Sequence, residues 1–331
     1  QYMKSSGIGG QAVLEGIMMK NGDRYAVAVR KPDGEIAVDE QEYHSIAKYR
    51  WMRLPFLRGI FNFVDSLVIG MKTLTFSASF YGEEEEGKES KSNFLERHMT
   101  EEQLEHFMMT LSVIFSIVLS IAVFMVLPVA VAGFFRRFTD SSFLIALIEG
   151  LLRIGIFIAY VGLISFMKDI RRTYMYHGAE HKCINCVEHG LPLTVDHVRR
   201  SSKEHKRCGT SFMLIVMVLS IFIFMFLRID NIFLRMLSRV LLVPFIAGIS
   251  YEFIRLAGRS ENPIVNALSR PGLWLQGLTT KEPDDSMIEV AIAAVERVFD
   301  WRKYLSEEFG LTFESEAGEK VESADQKGAG A

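Results

Sequence analysis

Residues 209–227 read GTSFMLIVMVLSIFIFMFL, an apolar stretch without a charged side chain. An α-helix rises about 1.5 Å per residue, so this stretch matches the roughly 30 Å hydrocarbon core of a bilayer. Three more runs of the same character accompany it, at 107–132, 143–167 and 232–257. The chain is therefore predicted to be mainly α, a polytopic membrane protein with four transmembrane helices inside the segment 107–257. A composition of 49% apolar residues in a chain of 331 fits one membrane domain with attachments.

The distribution of basic residues predicts the orientation. The segment between the second and third runs, 168–208, carries Lys168, Arg171, Arg172, Lys182, Arg199, Arg200, Lys203, Lys206 and Arg207, whereas the two short turns offer only Arg136, Arg137 and Arg228. The positive-inside rule puts the long loop in the cytoplasm, and an even number of spans then puts both termini there. No secretory signal pattern is visible in the first 50 residues. The net charge of -3 says little about partners; the lipid bilayer is expected, and nucleic acid is not. Cys183, Cys186 and Cys208 fall in or beside this loop, where a reducing cytoplasm leaves them as thiols.

Outside the spans the chain divides into attachments. Residues 1–53 hold a Gly cluster (Gly7, Gly9, Gly10), read as a tight turn in preference to a phosphate cradle, and then two short strands, Tyr25–Val29 and Glu35–Val38, around Lys31-Pro32-Asp33-Gly34. Residues 54–81 carry Arg58, Asp65 and Lys72 at intervals of seven, with Asn62 on the same side, so a polar stripe runs along an amphipathic helix that lies in the membrane plane or re-enters it; the alternative is a fifth span, which would put the termini on opposite sides. A charged linker, 82–106, leads to the membrane domain. The segment 258–313 completes a cytoplasmic cap, with a helix broken by Arg270-Pro271-Gly272, an interface anchor at Trp274, and an amphipathic helix over Asp284–Tyr304. The tail 314–331 has the composition of a disordered segment.

The loop also carries the chemistry. His177, Glu180 and His181 have H-x-x-E-H spacing, which on a helix gathers two imidazoles and a carboxylate on one face; in such motifs the histidines bind metal and the acid activates water. Two histidines need a third ligand, and His205 and Cys208 are the favoured donors, with Glu252 and Glu261 as further choices. Cys183 and Cys186 beside His181 would instead close a structural four-ligand site. The bland alternative is a polar junction whose side chains only bond one another, and Gly178 inside the motif weakens the helix. Within the second span, Glu149 and Arg153 are four residues apart and must face protein or water; a buried ion pair that fixes helix packing is preferred to a polar pathway. Arg235 and Arg239 are expected to snorkel from the start of the fourth span.

Four separated motifs in order, Gly9–Met19 (GGQAVLEGIMM), His177–Lys182 (HGAEHK), Arg207–Phe212 (RCGTSF) and Gly272–Thr280 (GLWLQGLTT), resemble the YqhQ-like bacterial membrane proteins. That family is of unknown function and is often labelled as predicted metal-dependent enzymes. The resemblance implies a bacterial inner-membrane setting and motif positions at Gln11, Glu15, His177, Glu180, His181, Lys182, Cys208, Glu261 and Asn262; Cys183 and Cys186 lie outside its pattern. The expectation is a metal-dependent, most plausibly hydrolytic, enzyme at the cytoplasmic membrane face, using a divalent transition metal such as zinc held by His177 and His181 with His205 or Cys208, and Glu180 as base. The rival expectation is a non-enzymatic accessory subunit of a membrane protein insertion, translocation or quality-control complex, with a membrane-protein partner or a second copy of itself. A transporter is disfavoured because four spans show no repeat.

Overall fold

The computed structural model describes residues 4–81, 101–227, 229–258, 260 and 262–313. Most of the 82–106 linker, Glu261 and the 314–331 tail lie outside the described residues. The chain forms two compact units: residues 1–81, 161–213 and 248–331 make one, and residues 82–160 and 214–247 the other.

The first unit is built on a four-stranded antiparallel meander of β1 (Gly9–Val13), β2 (Gly16–Asn21), β3 (Arg24–Arg30) and β4 (Ile36–Glu42). Two strands had been expected, and the Gly-rich segment supplies one of the other two. Gly9 and Gly10 pair with Lys20 and Met19, so the Gly cluster is neither the tight turn nor the phosphate cradle; only Gly7 has a positive φ. Strands disfavour glycine, but a Cβ on Gly10 would meet Met19 Sδ at 2.5 Å and the Glu180 carboxyl carbon at 3.0 Å. Period-two alternation explains why the sheet is covered on both faces. Ile17, Met19, Ala26 and Ala28 form one core with residues of α5 (Lys168–Glu188) and α10 (Asp285–Val298), among them Tyr176, Ala179, Cys183, Ile288 and Ala291. Met18, Tyr25, Val27 and Val29 form a second core with Tyr43 and with Ile69 of α1 (Leu57–Ala78).

Helix α1 turns its polar stripe toward protein. Asp65 accepts hydrogen bonds from Tyr43 Oη (2.8 Å), Ser45 Oγ and the Ile46 amide (3.0 Å), Arg58 pairs with Glu252, and Asn62 bonds Tyr251 Oη at 2.7 Å. Its opposite side leaves Leu67, Met71 and Leu74 exposed. Glu252 is thereby engaged away from the histidines. Beyond α5 the 168–208 segment is irregular except for a short helix, α6 (Val195–Arg200). Two further expectations are corrected. Pro271 and Gly272 do not break a helix: α9 (Pro263–Thr279) runs through them, since Gly272 packs so tightly on Ser211 that a Cβ would lie 2.8 Å from its side chain. The C-terminal amphipathic segment is two helices, α10 and α11 (Trp301–Phe309), each started by a capping aspartate, Asp284 and Asp300.

Among the described residues, four helices are long and apolar enough to cross a membrane: His106–Arg137, Ser142–Ile164, Gly209–Phe226 and Ile232–Ala257. The first comprises α2 (Glu101–Ile121), a π turn at Ala122–Val126, α3 (Leu127–Phe134) and a 3-10 turn; the others are α4, α7 and α8. In the second unit Glu149 accepts from Arg153 at 2.9 Å, and Arg153 also donates to Phe124 O in the π turn (2.9 Å) and to Ser220 Oγ (3.3 Å). Arg239, expected to snorkel, is instead 2% exposed; it donates to both Glu149 oxygens and stacks over Phe224. A guanidinium among apolar helices is tolerable only with such partners.

Candidate metal centre

Helix α5 carries the H-x-x-E-H residues, and Gly178 permits rather than weakens it. The strand-like chain after α9 crosses α5 so closely that a Cβ at 178 would lie 2.0 Å from Lys281 O, and the Lys281 amide bonds Tyr174 O at 2.9 Å. This crossing places Thr279 O beside His177, whose Nδ1–H donates to it at 3.0 Å. One turn on, His181 Nδ1–H donates to Lys203 O at 2.7 Å. Both imidazoles are thus fixed in the tautomer that leaves Nε2 with a free lone pair, the arrangement that orients metal-binding histidines. Cys208, buried just before α7, sets its Sγ 3.4 Å from His177 Nε2 and 2.8 Å from Thr210 Oγ1. Ligand atoms of His177, His181 and Cys208 all lie within 4.8 Å of one another. Metal–nitrogen and metal–thiolate bonds of about 2.0 and 2.3 Å at a tetrahedral angle span about 3.5 Å, so the His177–Cys208 separation fits two ligands of one ion.

His205 stands outside this trio. Its Nε2 faces Glu188 Oε2 at 3.4 Å, and burial lowers its pKa although the Glu188 hydrogen bond pulls the other way. Cys183 and Cys186 are buried in the α5 core, with Cys186 Sγ directed at Leu191 O and Pro192 O, so the four-ligand closed site does not form. Glu180 is 5% exposed against the sheet. Burial pushes its pKa up to about 7, against the opposing pull of His177 and the Gly10 amide. Its Oε2 has no hydrogen-bond partner among the described residues. A buried carboxyl of this kind holds or releases a proton near neutral pH.

Residues 54–301 match the family described as Protein of unknown function (DUF1385). The chain belongs to that family. It is 36% identical over 292 residues to the uncharacterized protein YqhQ of Bacillus subtilis (strain 168), covering 86% of this chain and 89% of that protein. No solved structure matches it.

In this DUF1385 chain the described motif positions Lys182, Glu15, Gln11 and Asn262 each make a specific contact within the fold. Lys182 Nζ donates to Arg199 O and Ser201 O and pairs with Glu282, while Asn185 Nδ2 donates to Ser202 O and Glu204 O, so α5 holds the loop that presents Lys203 O. Glu15, at φ 47°, grips Arg172 and accepts from Tyr176 Oη. Gln11 lies on Gly70, where a Cβ would come 2.7 Å from its amide. Asn262 caps α9 by accepting from the Ile264 amide at 2.9 Å. The sequence reading missed two members of the frame. Glu188, wholly buried, gathers Ser6, Arg207 and His205, and Gln276 bonds the His205 amide, His205 O and Ser211 Oγ. Glu188 is one helical turn beyond Ile184 on a buried stretch, and a buried acid near the basic Lys206-Arg207 pair was the only available signal.

Proposed function

We propose that the chain is a metal-dependent enzyme, hydrolytic in type, working at the cytoplasmic face of a bacterial inner membrane with both termini in the cytoplasm. The observation that carries this reading is the pairing of each imidazole Nδ1–H with a main-chain carbonyl while the remaining donors converge with Cys208. Two histidines and one thiolate would hold a divalent transition metal, zinc first, with a coordination position left for water or substrate, as in catalytic rather than structural sites. The ion would supply Lewis acidity to water or to a substrate carbonyl. Glu180 takes or gives the proton, because its buried carboxyl titrates near neutrality and its Oε2 is unbonded. His205 serves the frame through Glu188.

The test is metal analysis of the purified full-length chain in nanodiscs. About one equivalent of transition metal is expected in the wild type and in Glu180→Gln, and none in His177→Ala/His181→Ala. Cobalt-loaded protein should show thiolate-to-metal charge-transfer absorption that Cys208→Ser removes. Glu180→Gln should fail to rescue a strain lacking its own copy. Wild-type protein that binds no transition metal, together with full rescue by Glu180→Gln, would leave the accessory-subunit reading in its place.

A further inference from the structure

The ion cluster of the second unit is not balanced. Among the described residues, the buried Glu149 accepts the Arg153 and Arg239 bonds with its two oxygens, and the exposed Asp230 is the second carboxylate facing Arg235. Arg136 also reaches the cleft, with Asp230 3.9 Å away. Arg235 is 5% exposed and its Nε has no hydrogen-bond partner among the described residues; Arg239 Nη1 is likewise buried without one. These atoms border a narrow cleft, about 10 Å³ in volume, lined by Arg136, Arg235, Arg239, Glu149, Ser142 and Leu227.

Guanidiniums do not shed their protons in proteins, so this excess charge cannot be removed by titration. An unmatched pair of buried cations among apolar helices requires a counter-charge. Arg235 is in the first turn of α8 and Arg239 about 6 Å further along it at 1.5 Å per residue, while Arg136 lies in the 3-10 turn that ends the His106–Arg137 helix. The unpartnered Arg235 Nε and Arg239 Nη1 are charged donors that suit the oxygens of a phosphate.

We infer that Arg235 and Arg239, with Arg136 at the rim, bind a phosphate-class anion in this cleft, supplied by an anionic lipid headgroup or by free phosphate. The inference does not depend on the metal site. The experiment is native mass spectrometry of the full-length protein released from nanodiscs of phosphatidylglycerol and phosphatidylcholine mixed equally, repeated with inorganic phosphate added. One phosphatidylglycerol should be retained through delipidation, about tenfold less in Arg235→Gln, partly in Arg235→Lys, and undiminished in Arg137→Gln, which removes an exposed charge outside the cleft. Displacement of that lipid by inorganic phosphate, or a phosphate adduct lost in Arg235→Gln, assigns the site to free anion and supports it equally. Equal retention of both lipids with no phosphate adduct, or retention unchanged in a folded Arg235→Gln or Arg235→Lys protein, overturns it.

Discussion

A single missing Cβ positions the candidate metal centre. Gly178 admits the Lys281 carbonyl to within a distance that no side chain tolerates, and the same crossing delivers Thr279 O to His177. Gly178→Ala must push the two chains apart, and overpacking of this kind costs about 1–3 kcal/mol. Thermal unfolding should fall accordingly, and metal content should fall with it, because His177 loses the acceptor that fixes its tautomer; Gly277→Ala on the same segment, where a Cβ meets nothing within 4 Å, should change neither. At this scale His177, Glu180 and His181 were legible as candidates, since their spacing announces them, whereas Cys208 was one of several possible third donors until the fold brought it to His177. His205 was misplaced, because its nearest acid, Glu188, is 17 residues away in sequence and no local pattern shows that their side chains meet.

At the scale of elements, α5 is the organiser. One side of it packs on the sheet, and its polar residues hold the 199–204 loop and the N-terminal segment. Glu188 joins these parts. Burial alone would raise its pKa, but the His205 hydrogen bond and the Arg207 charge hold it below the usual carboxylate range. A carboxyl depressed in the folded state binds its proton more weakly there than in the unfolded chain, so its stabilisation is complete above the ordinary Glu pKa of about 4.3 and is lost as pH falls through the lower folded value. Glu188→Gln should therefore lower stability by about 3 kcal/mol at pH 7 by leaving Arg207 without its carboxylate, and its deficit relative to wild type should shrink as pH drops below that value in parallel melts. In the neighbouring core, Ile288→Ala should cost about 2–5 kcal/mol, since Ile288 is fully buried between sheet and α5; an unchanged melting temperature would contradict the two-sided sheet. The sequence reading found β3, β4 and α10 from alternation and periodicity. It missed β1 and β2, β1 because glycine suppresses the strand signal, and it read a helix break at Pro271 and Gly272, where α9 runs on with Ser211 against Gly272.

Over the whole molecule, four apolar helices and one strongly basic loop call for a topology that reporter fusions can check. Alkaline phosphatase joined after residue 138 should be active and after residue 190 inactive, with the reverse for a cytoplasmic fluorescent reporter; activity after 190 would invert the orientation argued from the basic residues. The four long apolar helices and the spacing of the candidate ligands on α5 are local properties, set by runs of apolar side chains and by helical periodicity, and the amino-acid order determined them unaided. Which donors converge, and which buried charges lack a partner, depend on long-range approach. Cys208 meets His177 across 31 residues, Arg239 meets Glu149 across 90, and the Thr279 carbonyl reaches His177 across 102. Only tertiary packing brings such groups together, because hydrogen bonds and ion pairs act over a few ångströms while sequence patterns report no further than the next helical turn.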